Sequence, residues 1–444
     1  MNKEKKKIKI LFYTCTARAF RTTLVGHLYD VSQDFSVVLI SEVLDPETEK
    51  VIKQKKYFPG LEKIIQVDLI NNSKFDIFRK KTRKYYKLAK EIFEKEKPDI
   101  LITSGDSLSL FEIYLNRLGK RYGVKNIAIQ ATFQIAEARK LSKWLDMVNV
   151  YTKFPLIIPF HIKIFLVKCR KYLGHFLYYW IFPLTVGELP FFGKSSHVLK
   201  KGNSGLRDAD YQFVFSKRDY DIWIKDGISA DKLSILLHPL KTETREFFKA
   251  NFFNEPENTI KLKYILFILP DIEVGFIKKS KFFISRKHRI SEWVDICDLV
   301  SRVYPDHNIL LKPHPNSNPF IVELSNSLSK LDNKKIEIIE GKNPIDKYIN
   351  IADLIIGLPV STSTALFTAN LQCPQKKIIS VNFDGELLGD CYKNFNGIIY
   401  AGNVQNFLEF IVRVDKFNLG VEPEKLEKEK KLVLFIKKYV SENN

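Results

Sequence analysis

Cysteine is scarce in this sequence. The 444 residues hold five, Cys15, Cys169, Cys297, Cys373 and Cys391, scattered and without Cys-x-x-Cys spacing. That excludes a disulfide framework and a zinc cage, and it points to a reducing, cytoplasmic compartment. There is no His-Glu-x-x-His motif and no Asp-x-Asp in a suitable strand-end context, so neither a metal nor a cofactor is expected. Long apolar runs are missing too: the segments 154–167 and 172–186 each fall short of the ~20 residues that span a bilayer. The amino terminus is charged from Met1 to Lys7. Its apolar run, Ile8 to Tyr13, is shorter than the ~7–15 residues of a signal-peptide core and reads as a first β-strand.

Acidic residues are the other deficit, 51 Asp and Glu against 71 Lys and Arg, which leaves a net charge of +20. Such a charge fits nucleic acid, an anionic membrane surface, or a phosphorylated small molecule. The basic residues are dispersed and no RNA-binding or helix-turn-helix signature occurs, so no specific nucleic-acid partner is expected. With 45% hydrophobic and 13% aromatic residues there is material for two sizeable cores.

Apolar, β-branched runs alternate with helical patterns along the chain. Ile8 to Tyr13, Phe35 to Ile40, Lys63 to Asp68, Ile100 to Thr103 and Asn126 to Gln130 read as buried strands, with helices over Phe75 to Lys97 and Ser107 to Tyr122. The rhythm stops over 145–192 and resumes with strand Tyr211 to Phe215, helix Asp219 to Lys225 and strand Leu233 to Leu237. Beyond a polar linker it restarts with strands at Tyr264 to Leu269, Asn308 to Lys312, Ile336 to Ile339, Leu354 to Gly357 and Lys377 to Val381. The expected architecture is α/β, with two tandem Rossmann-like domains: 1–250 with an insert at 145–192, a linker over 251–262, a second domain over 263–422, and an amphipathic helix over 423–444. Functional residues then belong at the carboxyl ends of the strands, in a central cleft faced by both sheets.

The sharpest local signal is Lys312-Pro313-His314-Pro315 at a strand end. Two prolines fix the backbone and present Lys312 and His314, a donor pair suited to phosphate, unless the histidine merely caps a turn. After strand Leu354 to Gly357 come Ser361, Thr362, Ser363 and Thr364 at a helix start, where hydroxyls and free N–H groups either cap the helix or bind an anion.

This succession of strand, Lys-Pro-His-Pro, strand and Ser/Thr-rich helix start resembles the GT-B glycosyltransferases of bacterial surface polysaccharide synthesis. The closest patterns are the capsule and lipooligosaccharide sialyltransferase and Kdo-transferase groups; the CDP-glycerol glycerophosphotransferases carry a comparable His-Pro. The resemblance covers both domains in outline, with specific motifs only in the second. It implies a donor phosphate, of a CMP-sugar by preference, held by Lys312, His314, Pro315, Ser361, Thr362 and Ser363. No metal is implied, because helix dipoles and basic side chains stabilise the leaving nucleotide. Glu340, after strand Ile336 to Ile339, stands where many GT-B enzymes hold the donor ribose or sugar.

In the first domain Asp106, in Ser104-Gly105-Asp106-Ser107, lies where GT-B enzymes and the similar UDP-GlcNAc 2-epimerases place acidic groups. It is the candidate general base, or alternatively the N-cap of the helix beginning at Ser107. Gln130 takes the place of the glutamine of a Gln-His-Gly, with Ala131 and Thr132 in place of the other two. Gly26 and His27 fall near the expected acceptor loop or on a buried helix face, and His238 either faces the cleft or serves the hinge. The aromatic and basic segment 154–186 is composed like a layer that docks on a membrane surface, or like a helical excursion packed on protein.

The expected function is a metal-independent, inverting glycosyltransferase. It moves a sugar from a nucleotide-activated donor to a cell-surface glycan or lipid-linked acceptor, in the cytoplasm and peripherally on the inner membrane face. Three alternatives stand beside it: a UDP-GlcNAc 2-epimerase-like isomerase, a CDP-glycerol-type phosphotransferase, and a non-catalytic polyanion-binding protein. The isomerase would need more acid and base groups around the cleft than the linear sequence places there.

Overall fold

The structure, a computed structural model, describes residues 7–15, 20–67, 75–104, 109–130, 162, 208–225, 227–252, 263–269, 277–278, 282–283, 286–313, 318–331, 335–341, 343–357, 365–381, 392, 395, 397–413 and 429–443. These divide into two compact units, and the chain passes from the first to the second within one helix, between Arg245 and Glu246.

The first unit is organised by strand β1 (Lys9–Thr14), in which Ile10, Leu11, Phe12 and Tyr13 are all fully buried. Apolar residues on both faces are what a strand between two helical layers requires. After a π-helical turn (Phe20–Leu24) and helix α1 (Val25–Asp34), β2 (Ser36–Ser41) pairs with one edge of β1. Helix α2 (Pro46–Ile52) leads to β3 (Leu61–Gln66), and α3 (Phe75–Glu96) carries the chain back to β4 (Ile100–Thr103) on the opposite edge of β1. Helix α4 (Leu110–Arg121), β5 (Lys125–Ile129), β6 (Tyr211–Val214), α5 (Lys217–Lys225) and β7 (Leu233–Leu236) extend that side, and α6 (Thr244–Asn251) ends the series. Every pairing is parallel.

Helices α3 and α4 cover one face through Tyr85, Ile92, Phe111, Tyr114 and Leu118. Ser109 caps α4 by accepting the Glu112 N–H at 3.1 Å. That capping duty, expected as the alternative role of Asp106, therefore belongs to Ser109, and the helix starts three residues later than the sequence pattern indicates. At the other end Gly123, at φ +70°, lets Val124 N–H reach back to Gly119 O at 2.8 Å, a left-handed closure that a side chain would strain.

In the second unit β8 (Lys263–Ile268) is the central strand. A short antiparallel pair, β9 (Ile277–Lys278) and β10 (Phe282–Phe283), precedes α7 (Arg286–Val303). Then β11 (His307–Lys312), α8 (Asn318–Leu328) and β12 (Ile336–Ile338) build one side. Helix α9 (Asp346–Ile351), β13 (Leu354–Gly357), α10 (Ala365–Gln372), β14 (Lys377–Val381), β15 (Ile399–Ala401) and α11 (Val404–Arg413) build the other. The order β12-β11-β8-β13-β14-β15 is parallel throughout. Trp293 and Cys297 of α7, Leu324 of α8 and Phe407 of α11 fill the core over one face of this sheet.

The carboxyl terminus returns to the first unit. Strand β16 (Glu429–Lys430) pairs in parallel with β7 as its eighth strand, and α12 (Leu432–Asn443) buries Leu432 and Ile436. The Phe435 ring sits 4.4 Å from Tyr211 and 5.2 Å from Phe213, and Lys437 pairs with Asp34 at 2.9 Å. No described helix is long and apolar enough to cross a membrane.

Two outcomes follow from this packing. Phe435→Ala is expected to destabilise the first unit by about 2 kcal/mol, read as a lower denaturant midpoint, since it removes a ring packed between two others. Asp30, which accepts the Thr244 hydroxyl at 2.5 Å, is pushed up to about 6 by burial from its ordinary 3.8. Because the folded value lies above the unfolded one, its contribution to stability is complete below pH 3.8 and is lost as pH rises through about 6. Asp30→Asn should therefore flatten the stability profile between about pH 3 and 7 by an amount on the order of 3 kcal/mol, followed by urea titration at each pH.

Candidate functional site

In each sheet the first strand is central and the chain leaves it first on one side, then on the other. The neighbours β1 and β4 in the first unit, and β8 and β13 in the second, thus flank a topological switch point, where crossovers diverge and leave a crevice at the carboxyl ends.

At the β1/β4 switch point the strand ends carry polar side chains rather than apolar ones. Glu42 follows β2 and is held by its N–H, which donates to Thr14 O at 3.1 Å. Its Oε1 accepts the Tyr13 hydroxyl at 2.6 Å and the Ser109 hydroxyl at 2.7 Å, while the two hydroxyl oxygens are 2.6 Å apart. Beside them Ser104 Oγ donates to Glu112 Oε1 at 3.3 Å and lies 3.4 Å from Cys15 Sγ. Glu112 is fully buried and Glu42 is 9% exposed, whereas Ser109 and Cys15 are half-buried. Burial, and next the Glu112 charge, raise the Tyr13 phenol well above its ordinary value, so it stays a neutral donor. The same two causes push the Cys15 thiol up. The arrangement can accept hydrogen bonds and hold protons.

None of these residues except Ser104 adjoins a motif that sequence reasoning singles out. Ser109 meets Glu42 across 67 positions and Tyr13 across 96, so no spacing rule reveals them. The available signal is weaker: polar residues directly after buried strands.

In the second unit Lys312, at the end of β11, does not point outward as the motif suggests. It is only 5% exposed, and its Nζ donates to Gly341 O at 2.7 Å and Pro313 O at 3.2 Å. A buried ammonium needs acceptors, and two carbonyls supply them, so Lys312 ties the chain after β12 to the end of β11. Glu340, adjacent to that tie, is exposed. Gly357 ends β13 where a Cβ would stand 2.6 Å from the Leu366 side chain of α10, so any larger residue there would have to displace that side chain.

Four other expected cleft residues are interior. Gln130 is 5% exposed; its amide donates to Asp219 Oδ2 and accepts from Trp223 Nε1, each at 3.0 Å, which ties β5 to α5. His238 caps the 3₁₀ turn Pro239–Lys241 by accepting Leu240 N–H at Nδ1, which leaves the proton on Nε2, 3.4 Å from Thr23 Oγ1. Gly26 and His27 lie on the buried face of α1, and burial lowers His27 to about 3. Burial first, then His27 and Lys241, hold His238 well below its ordinary value, so both imidazoles are neutral and neither serves as a cation for phosphate. Asp106, His314, Pro315, Ser361, Thr362 and Ser363, and the insert 145–192 apart from Ile162, lie outside the described residues.

A raised, half-buried thiol reacts slowly. Iodoacetamide at pH 8 is expected to alkylate Cys15 at least about tenfold more slowly than free cysteine, followed by peptide mass spectrometry; a rate equal to that of free cysteine contradicts the burial and charge described.

No protein-family model matches the sequence, and no curated protein matches it. Solved structures do. The UDP-GlcNAc 2-epimerase of Methanocaldococcus jannaschii shares 15% identity at a TM-score of 0.55, over 98% of this chain and 100% of that one. Staphylococcal (S. aureus) MnaA, solved with UDP, shares 12% at 0.53, over 98% and 97%. Anabaena HepE, in complex with UDP and glucose, shares 8% at 0.51, over 98% and 99%. At these identities the likeness is one of fold, and with the two parallel sheets it makes the chain a GT-B-like pair of Rossmann-type units, without singling out the sialyltransferase or Kdo-transferase groups.

Proposed function

We propose that this chain is an enzyme of uridine-nucleotide sugars and that its reaction is epimerisation at C2 of a UDP-N-acetylhexosamine. The observation that carries this reading is the set of carboxylates and hydroxyls at the β1/β4 switch point, Tyr13, Glu42, Ser104, Ser109 and Glu112. An isomerase takes and returns a proton within its own site and needs several such groups, whereas a transferase needs one base. The whole-length likeness to UDP-GlcNAc 2-epimerases supports the same reaction, and neighbours solved with UDP support uridine over the CMP-sugar expected from the motifs. The pyrophosphate would be held in the second unit by His314, Pro315, Ser361, Thr362 and Ser363, with Lys312 shaping the end of β11, which His314 and Pro315 follow.

A second reading is favoured by the Lys312-Pro313-His314-Pro315 motif and the aromatic, basic segment 154–186. In it a metal-independent transferase, peripheral on the inner membrane face, uses Asp106 as general base toward a glycan or lipid-linked acceptor.

Incubation of the full chain with UDP-GlcNAc alone is expected to yield a second anomeric proton signal by NMR as the 2-epimer accumulates. Unchanged substrate, with UDP released only when a glycan acceptor is added, would replace epimerisation by transfer. In a thermal-shift panel, UDP at about 100 times its Kd should stabilise the protein by about 2.7 kcal/mol, and His314→Ala should weaken that binding; stabilisation by CMP in preference to UDP overturns the uridine assignment.

A further inference from the structure

Tyr13 Oη, Ser109 Oγ and Glu42 Oε1 form a triangle whose three edges measure 2.6, 2.6 and 2.7 Å. Each edge is short enough for a hydrogen bond, yet the two hydroxyls bring only two protons to the three edges. The group is therefore rich in lone pairs and short of donors. Ser109 also accepts the Glu112 N–H at 3.1 Å, so its oxygen is fixed from the helix side as well as by Glu42. Tyr13 is fully buried and Glu42 nearly so, and the half-buried Ser109 is the member nearest the surface. Glu112, fully buried on the other side of Ser104, adds a second carboxylate.

We infer that Glu42 is a positioning residue for the sugar: it locks the Tyr13 and Ser109 hydroxyls at the β1/β4 switch point so that Ser109 receives a hydroxyl or amide donor of the bound sugar. The inference rests on the nucleotide-sugar reading above and deepens it. A phosphate has only acceptors and a negative charge, so beside two carboxylates it is excluded, while a neutral group carrying O–H or N–H donors is matched. The switch point of the first unit thereby selects the sugar end of the ligand and leaves the nucleotide to other residues. Without the carboxylate, the Ser109 hydroxyl would rotate among several partners, and recognition would lose its direction.

The test titrates UDP and UDP-GlcNAc separately into the full chain by calorimetry, for wild type, Glu42→Gln and Tyr13→Phe, with melting temperatures confirming that each variant folds. Wild type is expected to prefer UDP-GlcNAc over UDP. Glu42→Gln should reduce that preference about tenfold and Tyr13→Phe about threefold, with UDP affinity held within about twofold. Should Glu42→Gln fail to fold, Tyr13→Phe decides alone, since it removes two edges of the triangle and no charge. Equal wild-type affinities for the two compounds, an unchanged preference in the variants, or parallel loss of both affinities overturns the inference. If neither compound binds wild type, the nucleotide-sugar reading falls and this inference with it.

Discussion

Parallel strands cannot be joined by tight turns. Each β1-to-β2 or β8-to-β11 step needs a crossover long enough to return the chain to the same edge, and that return has one preferred hand. All strands of each large sheet consequently end on one edge, and the first strand becomes central once the chain has wound out in one direction and then in the other. The positions of Tyr13, Glu42, Ser104 and Ser109 are by-products of that constraint. Tyr13, Glu42 and Ser104 lie at the ends of β1, β2 and β4, and Ser109 at the start of α4, because the connections could not put those ends anywhere else.

The second governing term is the cost of removing a polar group from water without a partner. It explains why residues that look presented in the sequence are interior in the fold. Lys312 is held by two backbone carbonyls, Gln130 by Asp219 and Trp223, and His238 by the N–H it caps. In each case a hydrogen bond made inside the unit settles where the side chain points. The Glu42 triangle obeys the same rule with a different outcome, because its donors are fewer than its edges.

The +20 charge is also distributed by this balance. Among the described residues many basic side chains form exterior pairs, such as Lys87 with Glu91 and Lys90 with Glu94 along α3. Such pairs contribute little to stability but keep the helix face solvated. Lys9 and Lys63 meet Glu96 at the amino-terminal edge of the first sheet, opposite the switch point. A basic overall charge is thus compatible with two carboxylates, Glu42 and Glu112, among the described residues at the first-unit switch point.

The sequence by itself determined the class of fold. Strands Ile100–Thr103, Leu354–Gly357 and Lys377–Val381 run over the residues their apolar pattern predicts, because a strand covered on both faces needs an unbroken apolar run and flanking polar residues mark its ends. Elements outside the strand-helix rhythm were not legible: β15 and β16 are only three and two residues long, and β16 takes its place from its pairing with β7. Motifs such as Lys312-Pro313-His314-Pro315 identified a strand end without revealing that the lysine turns inward. Only the tertiary structure brought Tyr13, Glu42 and Ser109 together, since a hydrogen bond between residues 96 apart has no trace in local spacing and exists only after the winding of the sheet has closed the distance.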